Sequence, residues 1–179
     1  MALIATVGAA DANSYVTAVE FATYLLSRPF VPTSVTAASI ASREAALIMA
    51  TRMMDAKQCF TGAAASATQS LQWPRSGMLS ATGFALGSDV LPVQLKDSIC
   101  EIAIAMLVSD ILADNDVAVQ GITSISAGPV SLSFKDTIEA RGLPATALAL
   151  LPSSWKCENT VDENDATSFL FEVYSGEEA

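Results

Sequence analysis

The chain of 179 residues contains no histidine. That removes the commonest general base near neutral pH and the commonest transition-metal ligand. Charge is scarce too: 16% of residues are charged, against about 25% in an ordinary soluble domain. No two basic residues are adjacent, and there is no basic run. Nucleic-acid affinity comes largely from Lys and Arg neutralising phosphates, so tight, direct DNA binding is disfavoured. A surface that faces DNA without gripping it remains open. Cysteine is sparse and odd in number. Cys59, Cys100 and Cys157 lie far apart without metal-binding spacing, so neither a disulfide framework nor a zinc site is implied. Cys100 reads as a small core residue. No glycine motif for phosphate is present. The N-terminus lacks the basic and long apolar regions of a secretory signal, so a reducing, cytoplasmic origin is expected.

What is abundant is apolar: 51% of residues are hydrophobic. A chain of this length can bury a proper core as one domain. With so few charges to solvate a surface, much of its exterior is expected to be covered by other protein. The formal net charge is −10, and it is uneven. Residues 155–179 carry one Lys and seven acidic groups, a net of −6, which leaves −4 for the other 154 residues. The chain therefore divides into a body, 1–154, and an acidic C-terminal extension, 155–179.

The segment Leu91 to Asp114 organises the body. Pro92 suits a first helical position. Leu95, Ile99, Ile102 and Met106 recur at helical spacing, with Ala103, Leu107, Ile111 and Leu112 beside them. Only Gln94, Asp97, Ser98 and Glu101 form a polar strip. A helix apolar nearly all round is covered on several sides. Glu101 and Asp110 bracket a run far shorter than the ~20 residues that a bilayer needs, so this is a central bundle helix and not a membrane span.

Upstream, residues 3–7 could form a short strand, and Asp11 to Tyr15 is a turn-forming run. Thr17 and Glu20 make a capping box that opens a helix to about Ser27, with Phe21, Tyr24 and Leu25 on its apolar face and Pro29 and Pro32 beyond it. A second helix is predicted from Thr36 to Lys57, burying Ile40, Leu47, Ile48, Thr51 and Met54. From Gln58 to Ser88 the only charged residue is Arg75. Structureless segments of about thirty residues are rare inside compact domains. This one is read as an arm lying on another surface, anchored by Trp73 and Arg75; the competing reading folds Trp73 onto its own core.

Downstream, residues 119–134 give a hairpin signal, turning at Ala127 to Pro129 with a loop longer than two residues. A lone hairpin is marginal in water, so it should pack on the helices or on a neighbour. Pro144 opens a short helix, ended by Pro152. Ser168 to Tyr174 turns β-like again. The fold class is thus mainly α: a small helical bundle around a central apolar helix, with a β-hairpin and long extended arms.

No catalytic constellation can be assembled, so no enzyme, cofactor or metal is expected. Asp110, Asp114 and Asp116 miss the calcium-loop pattern and read as a solvated helix end. The candidate interface residues are Trp73, Pro74, Arg75, Gly128, Pro129 and Trp155.

Several segments, taken in order, resemble the head–tail connector (head-completion adaptor) proteins of tailed bacteriophages, often labelled DnaT-like single-stranded-DNA-binding. They are Asp11 to Tyr15 before a short helix; Glu44 to Arg52 leading to Asp55; Gln72-Trp73-Pro74-Arg75 before Gly77; Leu91-Pro92 opening a helix with Lys96, Asp97 and Glu101; and a hairpin carrying Gly128-Pro129-Val130. The resemblance covers roughly residues 10–150. It implies a structural protein of the virion, assembled in the host cytoplasm, whose copies form a ring, dodecameric by resemblance, below the portal protein. The ring would extend the DNA channel, pass genomic DNA without specific binding, and dock the next tail, nozzle or stopper protein, with no membrane involved. The alternative takes the label literally as a single-stranded-DNA binder, which needs a positive groove with stacking aromatics.

Overall fold

A computed structural model describes residues 2–111, 124–127, 130–133 and 143–157. The architecture is mainly helical. Helix α1 spans Ala18–Ser27, α2 Thr33–Ala37, α3 Ile40–Lys57, α4 Val93–Val108 and α5 Ala145–Ala149; a 3₁₀ turn follows at Ser153–Trp155. Two antiparallel pairs of strands complete it: β1 (Ala63–Ala64) with β2 (Arg75–Ser76), and β3 (Ser124–Ala127) with β4 (Val130–Ser133).

Helix α4 is the centre. It packs mainly on α3, and also meets α1, α2 and α5. Leu95, Ile99, Cys100, Ile102, Ala103 and Ile104 are buried along it. Burying an aliphatic side chain of this size stabilises by about 1.5–3 kcal/mol, so this helix carries a large share of the core. The predicted polar strip is breached at Ser98, which is fully buried and donates to the Ala147 carbonyl at 2.8 Å. That bond fastens α5 to α4.

The capping box of α1 is formed as the sequence predicts: the Thr17 hydroxyl accepts from Glu20 N–H, and the Glu20 carboxylate accepts from Thr17 N–H. Other boundaries move. The predicted Thr36–Lys57 helix is two helices, because Ala38 and Ser39 are extended and the Ser39 hydroxyl caps α3. Ile40 therefore stands at a helix start, 71% exposed, and not in the core. Pro92 is the N-cap of α4, one place before the first helical residue, and the helix stops at Val108. Residues 3–7 form no strand; the Asn13 side chain ties them down instead, accepting from Ile4 N–H and donating to the Ala2 carbonyl. In the β3–β4 hairpin Ala127 faces Val130, so the connection is two residues, shorter than predicted. The folded body runs on past residue 154: Trp155 is buried and Cys157 is bonded to Cys59. Asp114, Asp116, Gly128, Pro129 and the Ser168–Tyr174 segment lie outside the described residues.

Candidate interaction surface

The segment from Gln58 to Ser88 folds onto its own chain. Trp73 is 1% exposed. Its ring meets Phe60 edge-on at 5.6 Å between centroids and Trp155 at 5.4 Å. The Trp73–Pro74 peptide is cis. A polar knot holds the backbone here. The Tyr15 hydroxyl donates to Asp55 Oδ1 at 2.6 Å and accepts from Trp73 N–H at 3.0 Å. Asp55 Oδ2 accepts from Gln72 N–H at 3.1 Å. The Gln72 amide donates to the Asp55 and Gln58 carbonyls. Burial, then the neighbouring Asp55, push the Tyr15 hydroxyl pKa up, so it remains a protonated donor.

Arg75 is occupied internally as well. Its guanidinium donates to the carbonyls of Phe60, Thr61, Gly62 and Gln72, at 2.7 to 3.1 Å. One cation thus gathers the whole turn that follows α3. Gly62 sits at φ +73° inside that turn, and a Cβ there would lie 2.5 Å from the Ser76 carbonyl oxygen.

Trp73 is thus folded onto its own core, as the competing reading has it, and the Arg75 guanidinium is bonded within the chain. The sequence shows an arm charged only at Arg75, and Tyr15, Asp55 and Arg75 hold much of its backbone from within, although Trp73 Nε1 and Gln58 Oε1 are buried without a partner. Pro74 and Trp155 are buried with them. The Trp155 indole N–H donates to the Leu79 carbonyl at 2.6 Å.

Four other cations among the described residues are engaged too. Arg28 pairs with Glu101 at 2.8 Å, and Tyr24 donates to the same carboxylate. Lys96 pairs with Glu20 at 2.6 Å. Arg43 donates to the Val35 and Thr36 carbonyls, and Lys156 to that of Leu148. Among the described residues no cluster of three His, Cys, Asp or Glu could hold a metal ion, and no helix is long and apolar enough to cross a membrane. A shallow cleft of about 420 Å³ lies over Asp11, Asn13, Arg52, Asp55, Ser70 and Leu71. Asn13 and Asp55 on its wall already serve the internal bonds given above.

Several large apolar side chains stand exposed on the body. Helix α1 buries Phe21 on one side and half-buries Tyr24 and Leu25. On the opposite side Val19 and Leu26, seven residues apart and so on one stripe, are 75% and 89% exposed. Phe30, just past the helix end, is 85% exposed, while its carbonyl is held by Arg28. A second projection is Phe84, 75% exposed. Its backbone is fixed: Phe84 N–H donates to the Ser80 hydroxyl, and Ser80 N–H donates to the Phe84 carbonyl. Single exposed hydrophobes are ordinary; a helix apolar on both faces is not. Sequence reasoning placed only the inward face of α1. The outward stripe was visible in the i, i+7 spacing of Val19 and Leu26.

The family model described as "Putative DnaT-like ssDNA binding protein" matches residues 1–159. No curated protein and no solved structure matches the chain.

Proposed function

The chain belongs to the family described as DnaT-like single-stranded-DNA-binding proteins, and we propose that it is a non-catalytic assembly protein, the head-to-tail adaptor of a tailed phage. The observation that carries the reading is the second apolar face of α1, with Val19 and Leu26 outward and Phe21 inward. Such a face is stabilised by covering it, and the protein's scarce charge suits close packing of copies. In this reading neighbouring copies cover α1, the ring sits below the portal, and DNA passes through a lumen whose acidic balance gives it nothing to adhere to. The occupied cations and buried Trp73 support it, because they leave little for phosphate or base contacts. Electron microscopy of the full chain, alone and mixed with a portal protein, tests it: rings of uniform diameter are expected, and isolated small particles under both conditions would overturn it.

The family's description favours a second reading, binding of single-stranded DNA. Among the described residues, stacking would then fall to Phe30 and Phe84, since Tyr15, Trp73 and Trp155 are buried. Fluorescence anisotropy with a labelled oligonucleotide at low salt separates the two. Micromolar or tighter affinity with a steep salt slope, weakened by Phe84→Ala, supports DNA binding; no change in anisotropy supports the adaptor.

A further inference from the structure

Cys59 and Cys157 are disulfide-bonded across 98 residues of sequence, with their Cα atoms 5.4 Å apart. The spacing of three scattered cysteines gave no sign of it. The bond lies on a short antiparallel pairing: Phe60 faces Lys156, Cys157 N–H donates to the Cys59 carbonyl at 3.2 Å, and Thr61 N–H donates to the Trp155 carbonyl at 2.9 Å. Cys59 is exposed and Cys157 half-buried, whereas Cys100, the remaining cysteine, is 2% exposed. Burial also pushes the Cys100 thiol pKa up. Reactivity in thiol exchange follows access and thiolate character, so the three cysteines divide into one addressable pair and one inert core thiol.

We infer that the Cys59–Cys157 bond is a thiol-exchange site, opened by a small monothiol of the glutathione class, that sets how firmly residues 153–157 are held on the body. The thiolate of the monothiol attacks the Cys59 sulfur, which is the exposed one. The Cys59–Cys157 bond breaks, and Cys157 leaves as a thiolate and takes up a proton. A second monothiol attacks the mixed disulfide, releases Cys59 and departs as its own dimer. Two electrons pass from two thiols to one disulfide. The open form keeps Trp155 against Trp73 by packing and by its bonds to Leu79 and Thr61, without the covalent tie two residues away. The closed form joins the end of α3 to the segment beyond α5, and locks the aromatic cluster of Phe60, Trp73 and Trp155. This inference stands apart from the adaptor reading, since it rests on neither α1 nor an oligomer.

The test uses the full chain, purified without reductant, and glutathione as the probe. Thiols titrated after denaturation are expected to number one per chain before treatment and three after native treatment with excess glutathione. At low glutathione, mass spectrometry should find the mixed disulfide on Cys59. The reduced protein should melt on the order of 10 °C lower, because a cross-link closing a long loop constrains the unfolded chain, and its Trp fluorescence should shift to the red. Three thiols before treatment would overturn the inference. So would a bond that resists glutathione until the protein is denatured. Cys157→Ser should reproduce the lower melting temperature without reductant; the wild-type thiol count decides the matter even if that variant does not fold.

Discussion

Tyr15 and Asp55, 40 residues apart in sequence, are joined by a hydrogen bond of 2.6 Å, and the same Tyr15 oxygen accepts the backbone N–H of Trp73. This one hydroxyl fastens three parts of the chain: the turn before α1, the C-terminal half of α3 and the segment that follows it. Replacing it with Phe keeps the ring and removes both bonds, leaving Trp73 N–H buried without its acceptor. Tyr15→Phe should therefore cost about 1–3 kcal/mol, measured by urea unfolding. A loss under ~0.5 kcal/mol would mean that the knot is dispensable.

Asp55 gives the pH dependence. Burial raises its pKa, against the hydrogen bonds from Tyr15 and Gln72 and the nearby Arg75, which lower it. A carboxyl raised on folding binds its proton more tightly in the native state than in the unfolded one. Its contribution is thus most favourable below about pH 4, the unfolded value, and declines as pH rises through the higher native value. The advantage of the wild type over Asp55→Asn should shrink between pH 4 and pH 7 in parallel unfolding titrations. An advantage that grows over that range would contradict the assignment.

Arg75 should tolerate Lys poorly. Four carbonyls share one planar guanidinium, and an ammonium can neither span them nor match their geometry. Arg75→Lys is expected to lose about 2 kcal/mol or more and to raise hydrogen exchange over residues 60–64. Unchanged exchange there would place the strength of the turn elsewhere.

Gly62→Ala should destabilise by about 1–3 kcal/mol, from the positive φ and the close Ser76 carbonyl. Gly77→Ala is the control: its φ is also positive, +78°, but nothing lies within 4 Å of the added carbon. Gly62→Ala should be the more costly in thermal melts, and equal losses would show that strain alone, not crowding, decides both.

Local signals were legible and distant ones were not. The Thr17–Glu20 capping box acts over three residues, so spacing alone predicts it. The stripe of Leu95, Ile99 and Ile102 likewise announces a buried helix. The fate of Trp73 depends on Tyr15, 58 residues away, and on the four carbonyls that Arg75 gathers; no periodicity reports such partners. An absence of charge between Gln58 and Ser88 looked like a surface waiting for a neighbour. It instead reflects a segment folded back onto its own chain, much of its backbone held by Tyr15, Asp55 and Arg75. Cys59 and Cys157 show the same limit, since pairing depends on where α5 returns. The break at Ala38 and Ser39 was nearer to hand: Ser39 is a good N-cap, but the apolar pattern runs through it. The outward stripe of α1 was missed because the inward one already accounted for a helix.

In the proposed assembly, other copies of the protein complete the exposed face of α1. Sedimentation velocity of the full chain across a hundredfold range of concentration, beside the double variant Leu26→Glu/Phe30→Glu, tests it most directly. A discrete oligomer is expected for the wild type and a folded monomer for the variant. A wild-type chain that sediments as a monomer at every concentration would contradict it.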